Sequence, residues 1–196
     1  MHSVAKTALG LTLLAGAVAV GAYAFVLSGS YDIGADAPHS RPVFALLDAV
    51  RRHSVDARAR DIDVPRLDDP AMIAEGAEHY SAMCTGCHLA PGIDDSEIRP
   101  GLYPQPPKLA DVGAPDPRAT FWIIKHGIKM SGMPAWGATH DDQAIWNIVA
   151  FLRKLPALNA EQYKALTHDA GDEDHHDAPA AHDEHADDHD HAAKTP

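Results

Sequence analysis

The stretch that decides the fold is Met83-Cys84-Thr85-Gly86-Cys87-His88-Leu89. Cys84 and Cys87 are the only cysteines in 196 residues, so a disulfide scaffold is excluded. A structural zinc site takes four ligands, normally two such pairs or one pair with spaced histidines. A redox dithiol and a covalent haem site remain, and His88 separates them. C-x-x-C-H is the haem attachment pattern, in which the two thiols add to the porphyrin vinyl groups and the next imidazole lies under the iron. One helical turn sets both spacings. The competing thioredoxin-like dithiol expects a surrounding βαβ pattern, and this chain shows no alternation typical of strands.

Outward from the motif, the pattern is helical. Asp68-Asp69-Pro70 opens a predicted helix over 71–83, with proline and acids suited to a first turn. A long Pro- and Gly-rich stretch follows over 90–117, where Pro104, Pro106 and Pro107 exclude regular helix. A shorter helix is predicted over 117–126, with Gly127 suited to its end. The last helix of the segment is predicted over 141–155, with Asp141 and Asp142 at its start, Arg153 and Lys154 at its end, and Pro156 as its stop. Irregular chain of this length is out of place in a small domain unless it packs on something. A large flat cofactor supplies that surface.

An electron-carrying haem needs a soft, neutral second ligand, and a methionine thioether opposite histidine raises the reduction potential. Met133 stands in Gly132-Met133-Pro134-Ala135-Trp136-Gly137, a loop context suited to pressing a side chain onto a haem. Met130 is the rival, and either methionine has core filling as its ordinary role. His79 and His126 are further donors, although a lone histidine is more often solvated or hydrogen-bonded.

With these residues in place, the segment from Pro70 to Pro156 resembles the class I cytochrome c family. Gly76 and Tyr80 precede Cys84 where that family has a glycine and an aromatic. Ile145-Trp146-Asn147-Ile148-Val149-Ala150-Phe151-Leu152 resembles its closing helix. The resemblance implies that Gly76 lets the first and last helices cross closely while Tyr80 packs in their contact. It implies that Met133, in a Met-Pro-Ala-aromatic loop, is the axial ligand. It also implies that a proline carbonyl after His88 orients the imidazole; Pro91, Pro100 and Pro106 all qualify. Gly101-Leu102-Tyr103-Pro104-Gln105-Pro106-Pro107-Lys108-Leu109 looks like a haem-wrapping loop of membrane-anchored bacterial cytochromes. Trp122 and Trp136 either lie against the porphyrin or hydrogen-bond a propionate, or are simply core.

Beyond that segment the resemblance gives nothing, and the residues must be read alone. Residues 8–27 are uncharged and apolar, enough as a helix to span about 30 Å of hydrocarbon. Lys6 before them and Asp32 and Asp36 after them place the N-terminus in the cytoplasm by the positive-inside tendency. A cleaved secretory signal competes, because Ala22-Tyr23-Ala24 resembles a cleavage site. In the connector, Val43, Phe44, Leu46, Leu47 and Val50 recur at helical spacing before Arg51, Arg52, Arg58 and Arg60. Such a helix either rests on anionic headgroups or packs on the haem domain with arginines near its C-terminus.

After a short helical stretch predicted over 160–166, the chain becomes a tail of Asp, His and Ala, a composition that cannot bury a core and is expected to be disordered. The tail carries His168, His175, His176, His182, His185, His189 and His191. With interleaved aspartates, His175 to His191 form a potential site for Cu, Ni or Zn; a solubilising tail with incidental histidines is the alternative. The formal net charge of −12 sits mostly there. From Thr167 onward there are ten acidic residues and one lysine, against 18 acidic and 15 basic before it. No basic footprint exists, so nucleic acid is not an expected partner.

The sequence therefore predicts an all-α protein. Residues 1–30 form a membrane anchor or signal peptide, 31–69 a connector with an amphipathic helix, 70–157 a small class I cytochrome c haem domain with loops wrapping the haem, and 158–196 a disordered tail. One haem c is expected on Cys84 and Cys87, with His88 and Met133 as axial ligands. The expected role is single-electron transfer between membrane-associated redox proteins or respiratory complexes, on the periplasmic side of a bacterial inner membrane. The function is that of a carrier and not of an enzyme, although a place as a subunit in an oxidoreductase complex fits too. Two alternatives stand: a haem enzyme or sensor with an exchangeable sixth ligand, and a metal-handling protein acting through its tail.

Overall fold

A computed structural model of the chain describes residues 2–168. The expected tail site at His175, His176, His182, His185, His189 and His191 lies outside the described residues, as does the expected disorder beyond 168. The part of the expected disordered tail over 158–168 is instead ordered, with a helix over Ala160–His168 that packs on the domain and buries Tyr163. Among the described residues there are helices and no strands, only an isolated bridge between Ala90 and Ile93. In chain order the helices are α1 (His2–Leu27), α2 (Arg41–Ala59), α3 (Pro70–Met83), α4 (Thr85–His88), α5 (Leu109–Val112), α6 (Pro117–His126), α7 (Asp142–Leu152) and α8 (Ala160–His168).

Three of these helices begin with the same device. Asp69, Asp116 and Asp141 are the N-caps of α3, α6 and α7, and their side chains accept hydrogen bonds from Ala71, Arg118 and Ala144 N–H at 2.9, 3.0 and 2.8 Å. Each satisfies a backbone donor that the first helical turn leaves without a partner. Pro70 and Pro117 occupy first-turn positions, where a missing N–H costs nothing. Gly127 ends α6 at φ +64°, its N–H bonded to the Ile123 carbonyl at 2.8 Å. Helix α7 ends at Leu152, earlier than the sequence predicts. Its Arg153–Lys154 step tightens into a 3₁₀ turn over Leu155–Ala157, because Pro156 has no N–H to continue the α-helical ladder.

The core is the crossing of α3 and α7. From Ile145 to Leu152 every residue of α7 is buried, which is possible because α3, α6 and α8 all pack around it or each other. At Gly76 the two helices touch backbone to backbone: a Cβ there would collide with the Asn147 carbonyl. Tyr80, one turn on, is fully buried with its ring 5.3 Å from that of Phe151. Phe121 of α6 stacks on Trp146 of α7 at 4.1 Å. Asn147, a buried polar side chain of this core, donates to the Glu75 carboxylate and accepts from Gln143 at 2.8 Å, so its desolvation is compensated.

The stretch over 90–117 is mostly irregular, as its prolines require, but it is not wholly so. A 3₁₀ turn covers Arg99–Gly101 and α5 covers Leu109–Val112. Helix α1 is exposed over its length from Val4 to Leu27, and its length and apolar composition are those of a membrane span.

Candidate haem site

Cys84 closes α3, with its N–H on the Tyr80 carbonyl at 2.9 Å, and also caps the single turn of α4. Within that turn, Cys87 N–H and His88 N–H both reach the Cys84 carbonyl, at 3.1 and 2.8 Å. The two thiols and the imidazole thus share one rigid turn. Leu89 then leaves it at φ +60°, an uncommon backbone for a residue with a side chain. Two contacts hold Leu89 there: its side chain is buried, and its carbonyl accepts from the Tyr80 hydroxyl at 2.6 Å. Tyr80 therefore joins the helix crossing to the exit of the motif. Burial raises its phenol well above the ordinary range, with smaller contributions from Cys84 and Tyr163, so it stays a donor.

The electrostatics of Cys84 weigh against a redox dithiol. Burial pushes the Cys84 thiol up to about 12, and the adjacent Cys87 adds to the rise. A redox-active dithiol needs the opposite, a lowered thiol that is nucleophilic at neutral pH. For His88, burial lowers the imidazole below its ordinary value, the Pro107 hydrogen bond opposes this and Arg99 adds to it. The neutral ring is the favoured form. Its Nδ1 lies 2.9 Å from the Pro107 carbonyl, which can only accept, so Nδ1 carries the proton and the lone pair sits on Nε2. A metal-binding histidine is characteristically oriented in this way.

The orienting carbonyl belongs to Pro107, not to Pro91, Pro100 or Pro106. The reason lies in the loop. Pro100 is inside the 3₁₀ turn, and the Pro106 carbonyl is taken by the Arg99 guanidinium at 2.9 Å. Pro91 lies in the tight turn closed by Ile93 N–H on the Ala90 carbonyl at 2.9 Å.

The same loop ties the motif to the methionine segment. Ser96 Oγ donates to the Gly86 carbonyl at 2.5 Å, and Leu102 packs where a Gly132 side chain would stand. The methionine segment is also pinned from α6. A Cβ on Gly127 would meet the carbonyl of Met133 and the backbone of Pro134 at 2.7 Å. Ile128 N–H reaches the Met133 carbonyl at 3.3 Å, and Met133 N–H reaches Ser131 Oγ at 3.2 Å. Met133 is half-buried against the core, whereas Met130 is 93% exposed at φ +58°. His126 is exposed with its ring beside Trp122 at 4.8 Å. His79 meets His140 at 5.5 Å, and His140 meets Trp136 at 5.7 Å. The two tryptophans are thus each paired with a histidine.

Sequence reasoning missed Arg99. Its Nη2 holds Pro106, yet its Nε is buried with no hydrogen-bond partner. A buried, unpaired guanidinium nitrogen beside the C-x-x-C-H turn fits a cofactor carrying carboxylates. The signal in the sequence is faint, a lone arginine before Pro100. A neutral imidazole presenting Nε2, two thiols on one turn, a half-buried thioether and this unpaired cation fit a haem c.

Motif, helix crossing and loop define a c-type cytochrome domain. Residues 71–152 match the family model described as cytochrome c oxidase, cbb3-type, subunit III; this segment is a c-type cytochrome domain, and its cofactor class is haem c. No curated protein and no solved structure matched the chain.

Proposed function

We propose that the chain is a membrane-anchored monohaem electron carrier. Cys84 and Cys87 would hold the haem by thioethers, and His88 and Met133 would supply the two protein ligands to its iron. When bound, the haem supplies reversible one-electron transfer. The protein's own contributions are positional. Pro107 keeps the proton on His88 Nδ1, the Gly127–Met133 contact holds the thioether segment in place, and the 96–107 loop braces both sides. Arg99 gives a propionate its cationic partner. With both ligands supplied by the protein, no position on the iron would stay open for a substrate, which favours a carrier over an enzyme; a place as a subunit of an oxidase or reductase is compatible with this.

In this reading 1–30 anchors the chain in the bacterial inner membrane, 31–69 connects, and 70–157 forms the haem domain on the periplasmic side. Membrane-bound redox complexes are the partners. The observation that carries the reading is the single hydrogen bond from His88 Nδ1 to a carbonyl, which prepares Nε2 as a metal ligand on the same turn as both thiols. The test is to embed the full-length holoprotein in respiring membranes and follow its visible spectrum. Reduction on addition of a respiratory donor, followed by reoxidation by an oxidase, supports the proposal. A haem that no respiratory donor reduces would overturn it.

A further inference from the structure

Helix α2 carries two different apolar surfaces, and the fold uses only one. In its C-terminal half Val55 and Ala59 are buried, and α2 packs on α6. In its N-terminal half Phe44, Leu46, Leu47 and Val50 are exposed, Leu46 at 65% and Val50 at 58%. At 100° per residue, Leu46, Leu47 and Val50, with the half-buried Val43, form a stripe centred about 150° round the helix from Val55 and Ala59, while Phe44 falls on the side of the packed face. The exposed stripe is therefore not a frayed continuation of the packed face. Four large apolar side chains on successive turns are more than scattered surface residues.

What lies beside this stripe is fixed by the chain itself. Residues 28–40 are all that separates the end of α1 from the start of α2, at most about 45 Å if fully extended. They are far from extended. A turn closes Ala37 N–H on the Gly34 carbonyl at 3.1 Å, and the Tyr31 hydroxyl meets His39 Nδ1 at 2.6 Å. His39 in turn donates its N–H to the Tyr103 hydroxyl at 3.1 Å, in the loop that supplies Pro107. The charges of α2 fit a lipid surface too. Arg41, Arg51, Arg52 and Arg58 outnumber Asp48 and Asp56 in a chain that is otherwise acidic. Arg51 lies about 90° round the helix from the stripe's centre and, beyond its 2.6 Å pair with Asp48, leaves guanidinium surface for anionic headgroups, whereas Arg52, 3.2 Å from Asp48, lies on the far side.

We propose that the N-terminal half of α2 lies in the interface of the bilayer that α1 spans, its Val43–Val50 stripe among the acyl chains. The clamp of Tyr31, His39 and Tyr103 then holds the haem loop at a set height and tilt above the membrane. This inference rests on the anchoring reading of α1, and the experiment separates the two.

The full-length holoprotein is reconstituted in vesicles of phosphatidylethanolamine and phosphatidylglycerol, with a nitroxide on Val18→Cys, Leu47→Cys or Glu161→Cys in turn. Collision rates with oxygen and with chromium oxalate report depth, and the haem spectrum reports that each variant is folded. The expected result is an oxygen preference at Val18, several-fold higher oxygen-to-chromium accessibility at Leu47 than at Glu161, and a water-like value at Glu161. An inserted Val18 with a water-like Leu47 would overturn this inference alone, and a water-like Val18 would overturn the anchoring reading with it. A Leu47 label shielded from both colliders means a protein covers the stripe and overturns the inference; spin–spin broadening would identify that protein as a second copy of the chain.

Discussion

Gly76→Ala puts the close crossing of α3 and α7 to a direct test. The added methyl would collide with the Asn147 carbonyl, and the Ile148 nitrogen is only 3.0 Å away. Both obstacles are backbone, so no side chain can swing aside and the helices must separate. Overpacking of this kind costs about 1–3 kcal/mol and occasionally more. Separation also pulls Asn147 from the Glu75 carboxylate, a charge-assisted hydrogen bond worth about 1.5–3 kcal/mol. The better helix propensity of alanine returns about 1 kcal/mol. The expected net loss is about 2–5 kcal/mol, a large part of a domain stability of about 5–15 kcal/mol. At about 4–8 °C per kcal/mol for a domain of this size, the melting temperature should fall by at least about 8 °C. The assay is thermal unfolding of the reduced holoprotein followed by far-ultraviolet dichroism. Gly101→Ala is the control, because a Cβ there meets open space and should change stability by no more than about 0.5 kcal/mol. A Gly76→Ala protein that melts with the control would refute the crossing described here.

Other outcomes follow from the site. Tyr80→Phe leaves the buried Leu89 carbonyl without its donor and should cost about 1–3 kcal/mol, measured by guanidinium unfolding, while the haem spectrum stays unchanged. Gly127→Ala strains a position at φ +64° and presses on the Met133 and Pro134 backbone. It should let added imidazole displace the sixth ligand at lower concentration than in the parent protein, read by titration in the visible. Arg99→Gln removes a positive charge whose field acts on His88 and should lower the reduction potential in a spectroelectrochemical titration; an unchanged or raised potential would mean that Arg99 does not face the haem.

The parts of this fold that were legible in the sequence are those set by local chemistry. Asp-Pro pairs before α3 and α6, Asp141 before α7 and Gly127 after α6 mark helix ends through one or two hydrogen bonds, and those bonds involve near neighbours in the chain. The C-x-x-C-H turn is likewise closed within five residues. What the sequence did not disclose depends on where an aperiodic loop travels. Nothing local distinguishes the carbonyl of Pro107 from those of Pro91, Pro100 or Pro106; the choice is made by Arg99 occupying Pro106 and by the 3₁₀ turn enclosing Pro100. Arg99 itself is indistinguishable in sequence from a surface arginine. The Val43–Val50 spacing of α2 was legible, but the face that the domain covers, at Val55 and Ala59, was not, because it depends on where α6 sits.

The most direct measurement is the visible spectrum of the oxidised and reduced holoprotein, in the parent form, in Met133→Ala and in Met130→Ala. Ligation by His88 and Met133 predicts a low-spin parent with the weak far-red sulfur-to-iron charge-transfer band, a high-spin Met133→Ala without it, and a Met130→Ala protein identical to the parent. A parent that is already high-spin, or a Met133→Ala spectrum that does not change, would contradict the His88–Met133 ligation on which the electron-carrier account rests.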